Sequence, residues 1–183
     1  MKALIGMSGG VDSSVAALLM KEQGCDCIGA TMRLYAGQTA APDGSKTCCS
    51  LDDVEDARAV ARRLEIPHYV FNFTDDFYRE VVDKFVDTYY TGGTPNPCID
   101  CNRFLKFGKL LQRARELGCD CVVSGHYARV EQDKATGRYL LKRAADTAKD
   151  QTYFLACLSQ EQLAHVQFPL GALTKEQVRQ IAE

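Results

Sequence analysis

The stretch GMSGGVDSS, Gly6 to Ser14, decides how this sequence is read. An apolar run from Ala3 to Met7 stops there, and from Ser13 to Gln23 apolar residues return at helical spacing, with Val15, Leu18 and Leu19 on the inward side. Strand, glycine-rich turn and helix form the arrangement by which an open α/β sheet holds a ligand beyond its strand ends. The turn matches neither G-x-G-x-x-G nor G-x-x-x-x-G-K-[ST], which disfavours dinucleotide binding and the common NTPase loop. It is nonetheless suited to phosphate. Gly9 and Gly10 permit close backbone approach, Ser8, Ser13 and Ser14 offer hydroxyls, and the following helix turns its positive end toward an anion. Asp12 would repel that anion unless Mg²⁺, which favours hard oxygen ligands, lies between them.

The same grammar continues downstream. Asp26 to Met32 reads as a second strand, followed by a Gly-, Ala-, Ser- and Pro-rich loop from Ala36 to Ser50 that is expected to be mobile. Leu51 to Leu64 reads as a helix with Val54, Ala57, Val60, Ala61 and Leu64 on one side and Pro67 as its stop. His68 to Phe73 is a third strand, Asp75 to Tyr90 a third helix, Asn102 to Leu117 a fourth, and Cys119 to Ser124 a fourth strand. Strands alternating with helices predict an α/β fold, an open parallel sheet with helices on both faces.

The alternation breaks at Tyr127 to Val130 and Arg138 to Lys142, which flank DKATG and predict a small antiparallel hairpin. Asp150 to Val166 is mostly helical in pattern, FPLG interrupts it, and Thr174 to Gln177 has the form of a capping box. That last helix reaches Glu183 without a stop signal, so the chain reads as a piece of a longer protein. Two regions are expected: 1–148, nucleotide-binding, and 149–183, the truncated start of a helical region.

Composition bounds the rest. With 183 residues, 46% hydrophobic and 25% charged, one ordinary core is expected. No segment approaches the ~20 apolar residues of a membrane span, and the N-terminus lacks the continuous apolar stretch of a signal peptide. Nine cysteines, an odd number, in a chain too large to need disulfide staples predict a reduced, cytoplasmic protein. The formal charge of −2 argues against a broadly basic surface. Arg103 to Arg115 nevertheless carries five basic residues and no acid. At about 100° per residue, Arg103, Lys106, Lys109 and Arg113 share one helical side, either a solvated face or a phosphate-backbone contact.

TPNPCIDCN, Thr94 to Asn102, holds two cysteines three apart. Spacing leaves Cys98 and Cys101 open as half a zinc site, a redox pair, cluster ligands, or one nucleophile with a neighbour. An internal echo, EQGCDCIGA at 22–30 and ELGCDCVVS at 116–124, reads in each copy as a helix ended by glycine and a strand entered through Cys-Asp-Cys, with the cysteines in the core.

The SGGVDSS turn resembles the loop of the N-type ATP pyrophosphatases, which release pyrophosphate from ATP while adenylating a substrate oxygen. TPNPCIDCNRFLKFG, SGHYAR and KDQTYFL follow in the order and at roughly the separations of the tRNA-specific 2-thiouridylases, a resemblance that spans essentially the whole chain. It implies an adenine nucleotide alpha hydrolase-like, Rossmann-like fold and ATP-dependent 2-thiolation of uridine at the tRNA anticodon wobble position. Uridine O2 is adenylated first; sulfur then arrives from a cysteine persulfide.

Carried over by position, the resemblance puts ATP contacts on Gly6, Met7, Ser8, Gly9, Gly10, Val11, Asp12, Ser13, Met32 and Gly125, with Asp12 serving Mg²⁺. Cys101 becomes the nucleophile, at a helix start whose charge should favour the thiolate. Asn96, Pro97 and Cys98 fall at the target base, His126, Lys149, Asp150 and Gln151 elsewhere on tRNA, and Lys106 and Lys109 on the basic helix. Residues 149–183 would open the tRNA-binding region. Some relatives carry Asp where Cys98 stands, so Cys98 is a bystander, a second thiol, or with Cys101 a ligand of an iron–sulfur cluster. Partners implied are tRNA and a sulfur-donor protein, a persulfide carrier or cysteine desulfurase. The alternatives are a pyrophosphatase-type ligase or amidotransferase acting on a small molecule, and an iron–sulfur-dependent tRNA thiolase.

Overall fold

The central strand β1 (Lys2–Gly6) is apolar because it is covered from both sides: Ala3, Leu4 and Ile5 are 0% exposed. The computed structural model describes residues 1–35 and 51–183; the loop expected to be mobile, with Cys48 and Cys49, falls outside the described residues. After β1 come α1 (Val11–Glu22), β2 (Asp26–Arg33), α2 (Leu51–Arg63) and β3 (His68–Asn72). Two long helices follow, α3 (74–90) and α4 (97–116), then β4 (Cys121–Val123) and an antiparallel hairpin of β5 (Ala128–Gln132) and β6 (Tyr139–Arg143). Short helices α5 (Thr152–Leu155) and α6 (Gln160–Ala164), strand β7 (Val166–Gln167) and α7 (Lys175–Ala182) complete the chain.

The main sheet is parallel, in the order β3-β2-β1-β4-β7, as the alternation of elements predicted. Side chains of a strand alternate between faces. Leu4 therefore joins Ile28, Met32 and Val122 in a cluster with Phe77 of α3 and Leu105, Phe107 and Leu110 of α4. Ala3 and Ile5 join Val15 of α1, Ala57 of α2 and Val178 of α7 on the other face. On α1 the buried set is Val15, Ala16, Ala17 and Met20, while the expected Leu18 and Leu19 are half-buried: small alanines let the helix lie close to the sheet and turn the leucines aside.

Two departures from expectation matter. First, α4 starts at Pro97 rather than Asn102, and from Cys101 to Lys109 it is π-helical, with i→i+5 bonding. The wider turn rotates each residue by less than 100°, so the expected basic stripe does not form. Lys109 pairs with Asp76 at 3.1 Å, Arg113 lies over the Phe71 ring at 5.9 Å, and Lys106 remains near His126. The Gln162 side-chain amide donates to the Phe107 and Arg103 carbonyls, at 2.8 and 3.3 Å, within this wide segment.

Second, 150–166 is not one helix. It breaks at Ser159, whose hydroxyl opens a second capping box with Gln162, and ends in β7, which pairs with β4. The residues after 149 pack in the same layers as the rest. β7 extends the sheet and α7, opened by the expected Thr174 capping box, packs on α1. Among the described residues no helix is long and apolar enough to cross a membrane.

Candidate active site

The turn after β1 is built by the backbone. Gly9 has φ +74°, and a Cβ there would lie 2.7 Å from the Asp53 carbonyl oxygen of α2, so glycine is required by both conformation and space. Gly10 is the N-cap of α1 and brings no side-chain cap. Ser13 folds back instead: its hydroxyl donates to the Gly10 carbonyl at 2.9 Å and accepts from the Ser8 N–H at 3.2 Å. The N–H groups of the first turn of α1 have no partner within the helix and lie at the positive end of its 12 residues, an arrangement suited to an anion.

Asp12 is the acid of this turn, and its surroundings were not foreseen. Its Oδ1 accepts from the Tyr127 hydroxyl at 3.0 Å and from the Lys175 ammonium at 2.6 Å. Burial, and then the Asp12 carboxylate, raise the Tyr127 phenol above its ordinary range. Val11, the first helical residue, is 46% exposed beside it.

The opposite wall comes from the end of β4. A Cβ on Gly125 would lie 2.7 Å from the Asp12 carbonyl carbon and 2.8 Å from the Ser13 nitrogen, so this glycine lets two backbones touch. α1 and α4 lie on opposite faces of the sheet, and β1 and β4 are neighbours; the crevice between their ends is the topological switch point at which open α/β sheets bind ligands. Met32 is buried in the α4-side cluster. His126 follows Gly125, with its Nδ1 2.7 Å from the Ser124 hydroxyl and its ring 5.9 Å from those of Phe107 and Phe168. Burial, aided by the Lys106 charge, pushes its basicity well below the ordinary 6.5, so His126 is neutral at pH 7.

The cysteine turn hangs above this crevice. Leu110 of α4 lies 3.6 Å from where a Gly6 Cβ would be, and Phe107 faces His126, so these residues are level with the strand ends. Cys101, nine residues before Leu110, therefore rises on the order of 10 Å beyond the carboxyl edge of the sheet. Cys101 is half-buried and packs on the α4-side core, whereas Cys98 is exposed.

Side chains fix the turn. Asn96 Oδ1 accepts from the Cys98 N–H at 3.2 Å with Pro97 in the first helical position, so the first of the residues expected at a base is an N-cap. Asp100 pairs with Lys84 at 2.5 Å, and Asn102, 2% exposed, donates to the Phe154 carbonyl at 3.1 Å. Asp150 and Gln151 likewise serve the fold. Asp150 accepts from the Ala144 N–H and Thr152 hydroxyl, and Gln151 exchanges two hydrogen bonds with the Tyr127 backbone; Lys149 is exposed.

The remaining cysteines of the two Cys-Asp-Cys copies lie at the amino edge. Cys27 and Cys121 flank Ala3, and burial, followed by neighbouring thiols, raises Cys121 to about 11. Among the described residues no three His, Cys, Asp or Glu side chains are grouped for a metal.

The profile described as tRNA methyl transferase HUP domain matches residues 1–183. The tRNA-specific 2-thiouridylase MnmA of Moorella thermoacetica is 56% identical over 98% of this chain, and that of Clostridioides difficile 53% identical over 100%. The chain spans about half the length of these curated relatives, 50% in both. Among solved structures, a predicted subunit of tRNA methyltransferase from Methanocaldococcus jannaschii superposes with a TM-score of 0.56 at 16% identity, covering 100% of this chain and 74% of that one. A 4-thiouridine synthetase solved as an RNA complex with bound ATP gives 0.53 at 17% identity, covering 99% and 39%. The two structures share the fold. With the match running through every residue, the chain belongs to the tRNA methyl transferase HUP domain family.

Proposed function

We propose that this chain is the ATP-binding half of a tRNA uridine 2-thiolase of the cytoplasm. What supports the reading is a backbone-built turn suited to an anion together with a thiol-bearing turn at the same, carboxyl edge of one sheet. A family named for 2-thiouridylation at 53–56% identity supplies the chemistry to match.

The division of labour follows from the residues. The Gly9–Gly10 turn and the first turn of α1 hold the phosphates of ATP, and their N–H groups stabilise charge as uridine O2 bonds to the α-phosphorus and pyrophosphate leaves. Mg²⁺, held by the Asp12 carboxylate, would neutralise phosphate charge. Cys101 then presents the outer sulfur of its persulfide to C2, and AMP departs with the oxygen. A second thiol cleaves the resulting bond between sulfurs, closing a disulfide with Cys101. Asn96, Asp100 and Asn102 keep the turn in place; His126, neutral and aromatic-walled, offers the incoming base a surface without a charge.

The test uses the complete protein with a persulfide donor. AMP and pyrophosphate should form with unmodified tRNA and not without it, and Cys101→Ser should still release pyrophosphate and adenylate the tRNA while losing thiolation and the AMP release that accompanies it. AMP formation driven by a small metabolite and indifferent to RNA would contradict the proposal, as would thiolation by Cys101→Ser at the wild-type rate.

A further inference from the structure

The nucleotide turn is charged by a residue from the far end of the chain. Lys175, the first residue of α7, reaches the first turn of α1 and rests on Asp12 at 2.6 Å, with side-chain exposures of 24% for Lys175 and 36% for Asp12. Half-open ion pairs are ordinarily incidental, because long side chains wander. This one is held. The Lys175 backbone N–H donates to Asp146 at 3.0 Å, the Thr174 capping box fixes where α7 begins, and Val178, fully buried, seats the helix among the α1 residues. The ammonium also lies 6.0 Å from the Tyr127 ring, whose hydroxyl donates to the same Asp12 oxygen.

Asp12 poses a problem that this arrangement answers. A carboxylate in the first turn suits the helix dipole, yet it stands where a polyphosphate would bind and repels it. Tyr127 orients the carboxylate but brings no charge. We propose that Lys175 is a positioning residue of the nucleotide site: it neutralises and holds Asp12, so that the turn accepts the triphosphate of ATP even before a divalent cation is bound. The affinity of the turn for nucleotide is thereby made to depend on correct docking of α7. This rests on the nucleotide reading of the turn above.

The experiment is equilibrium binding of ATP to this chain in EDTA, with thermal melts in parallel, for the wild type, Lys175→Met, Asp12→Asn and the double variant. Lys175→Met should weaken binding by about tenfold, and adding Asp12→Asn should return the affinity to within about threefold of Asp12→Asn alone. Lys175→Arg should retain binding. A lysine that merely supported the fold, or that gripped phosphate directly, would not be rescued by removing the acid. Wild-type affinity in Lys175→Met, or a double variant as weak as Lys175→Met, overturns the proposal. If Lys175→Met melts too early to measure, the comparison is Asp12→Asn with the double variant: equal affinities are expected, and a further tenfold loss overturns it. A wild-type chain that binds no ATP at all contradicts the nucleotide reading itself, a different outcome from any of these.

Discussion

The turn after β1 and the turn that carries Cys98 and Cys101 both lie at the carboxyl edge of the sheet and are built on opposite plans. The first is made of backbone: a glycine at positive φ, an uncapped helix end, and Gly125 pressed against the main chain of α1. The second is made of side-chain ties, from Asn96 to Cys98, Lys84 to Asp100 and Asn102 to Phe154, and it sits on a π-helical stretch. Next to it, residues 83–90 of α3 bury no side chain. The first turn holds its shape through main-chain packing, with no side chain whose loss would release it. The second is fixed by contacts that can be released singly.

The largest effect should come where the two plans meet. Phe107 is fully buried under His126 and Phe168, and Phe107→Ala is expected to cost about 4 kcal/mol in chemical denaturation and to loosen both walls. Gly125→Ala should cost about 3 kcal/mol and abolish ATP binding, because backbone cannot yield to a Cβ at 2.7 Å. Asn96→Ala removes a cap worth about 1 kcal/mol and should raise the alkylation rate at Cys101 while leaving ATP affinity intact, which separates the arm from the cradle.

His126 supplies a test by pH. Its folded pKa lies below 6.5, so below that value the unfolded chain binds more protons and stability falls as pH drops; the contribution is fully present above 6.5. Urea melts between pH 7 and pH 5 should show this slope, and His126→Gln should reduce it, the remainder coming from His68, whose pKa burial also lowers. The smallest effect is a control: Lys142→Ala breaks an exposed pair with Glu131 in the hairpin and should change stability by no more than about 0.5 kcal/mol.

The same contrast explains what could be read in the sequence. Gly9 and Gly10 announce a tight strand-to-helix turn because the constraint is local, and the periods of β1, α1 and α2 announce the sheet and its layers. Asn96 before Pro97 carried the signal of an N-cap, but the resemblance drew attention to the base instead. Tyr127 and Lys175 were invisible, since they reach Asp12 from 115 and 163 residues away and no pattern links them. The π-helical turn has no compositional mark, and β7 is too short, at two residues, to show a period of its own.

The central claim is that nucleotide and thiol share the carboxyl edge of the sheet. It is tested most directly by placing a fluorine label on Cys101 in a Cys98→Ser background, and separately on Cys25 at the amino edge, then adding ATP with Mn²⁺ as the paramagnetic ion. The ¹⁹F signal from Cys101 should broaden strongly and that from Cys25 should stay sharp. Broadening that is equal at the two positions, or greater at Cys25, would contradict the account.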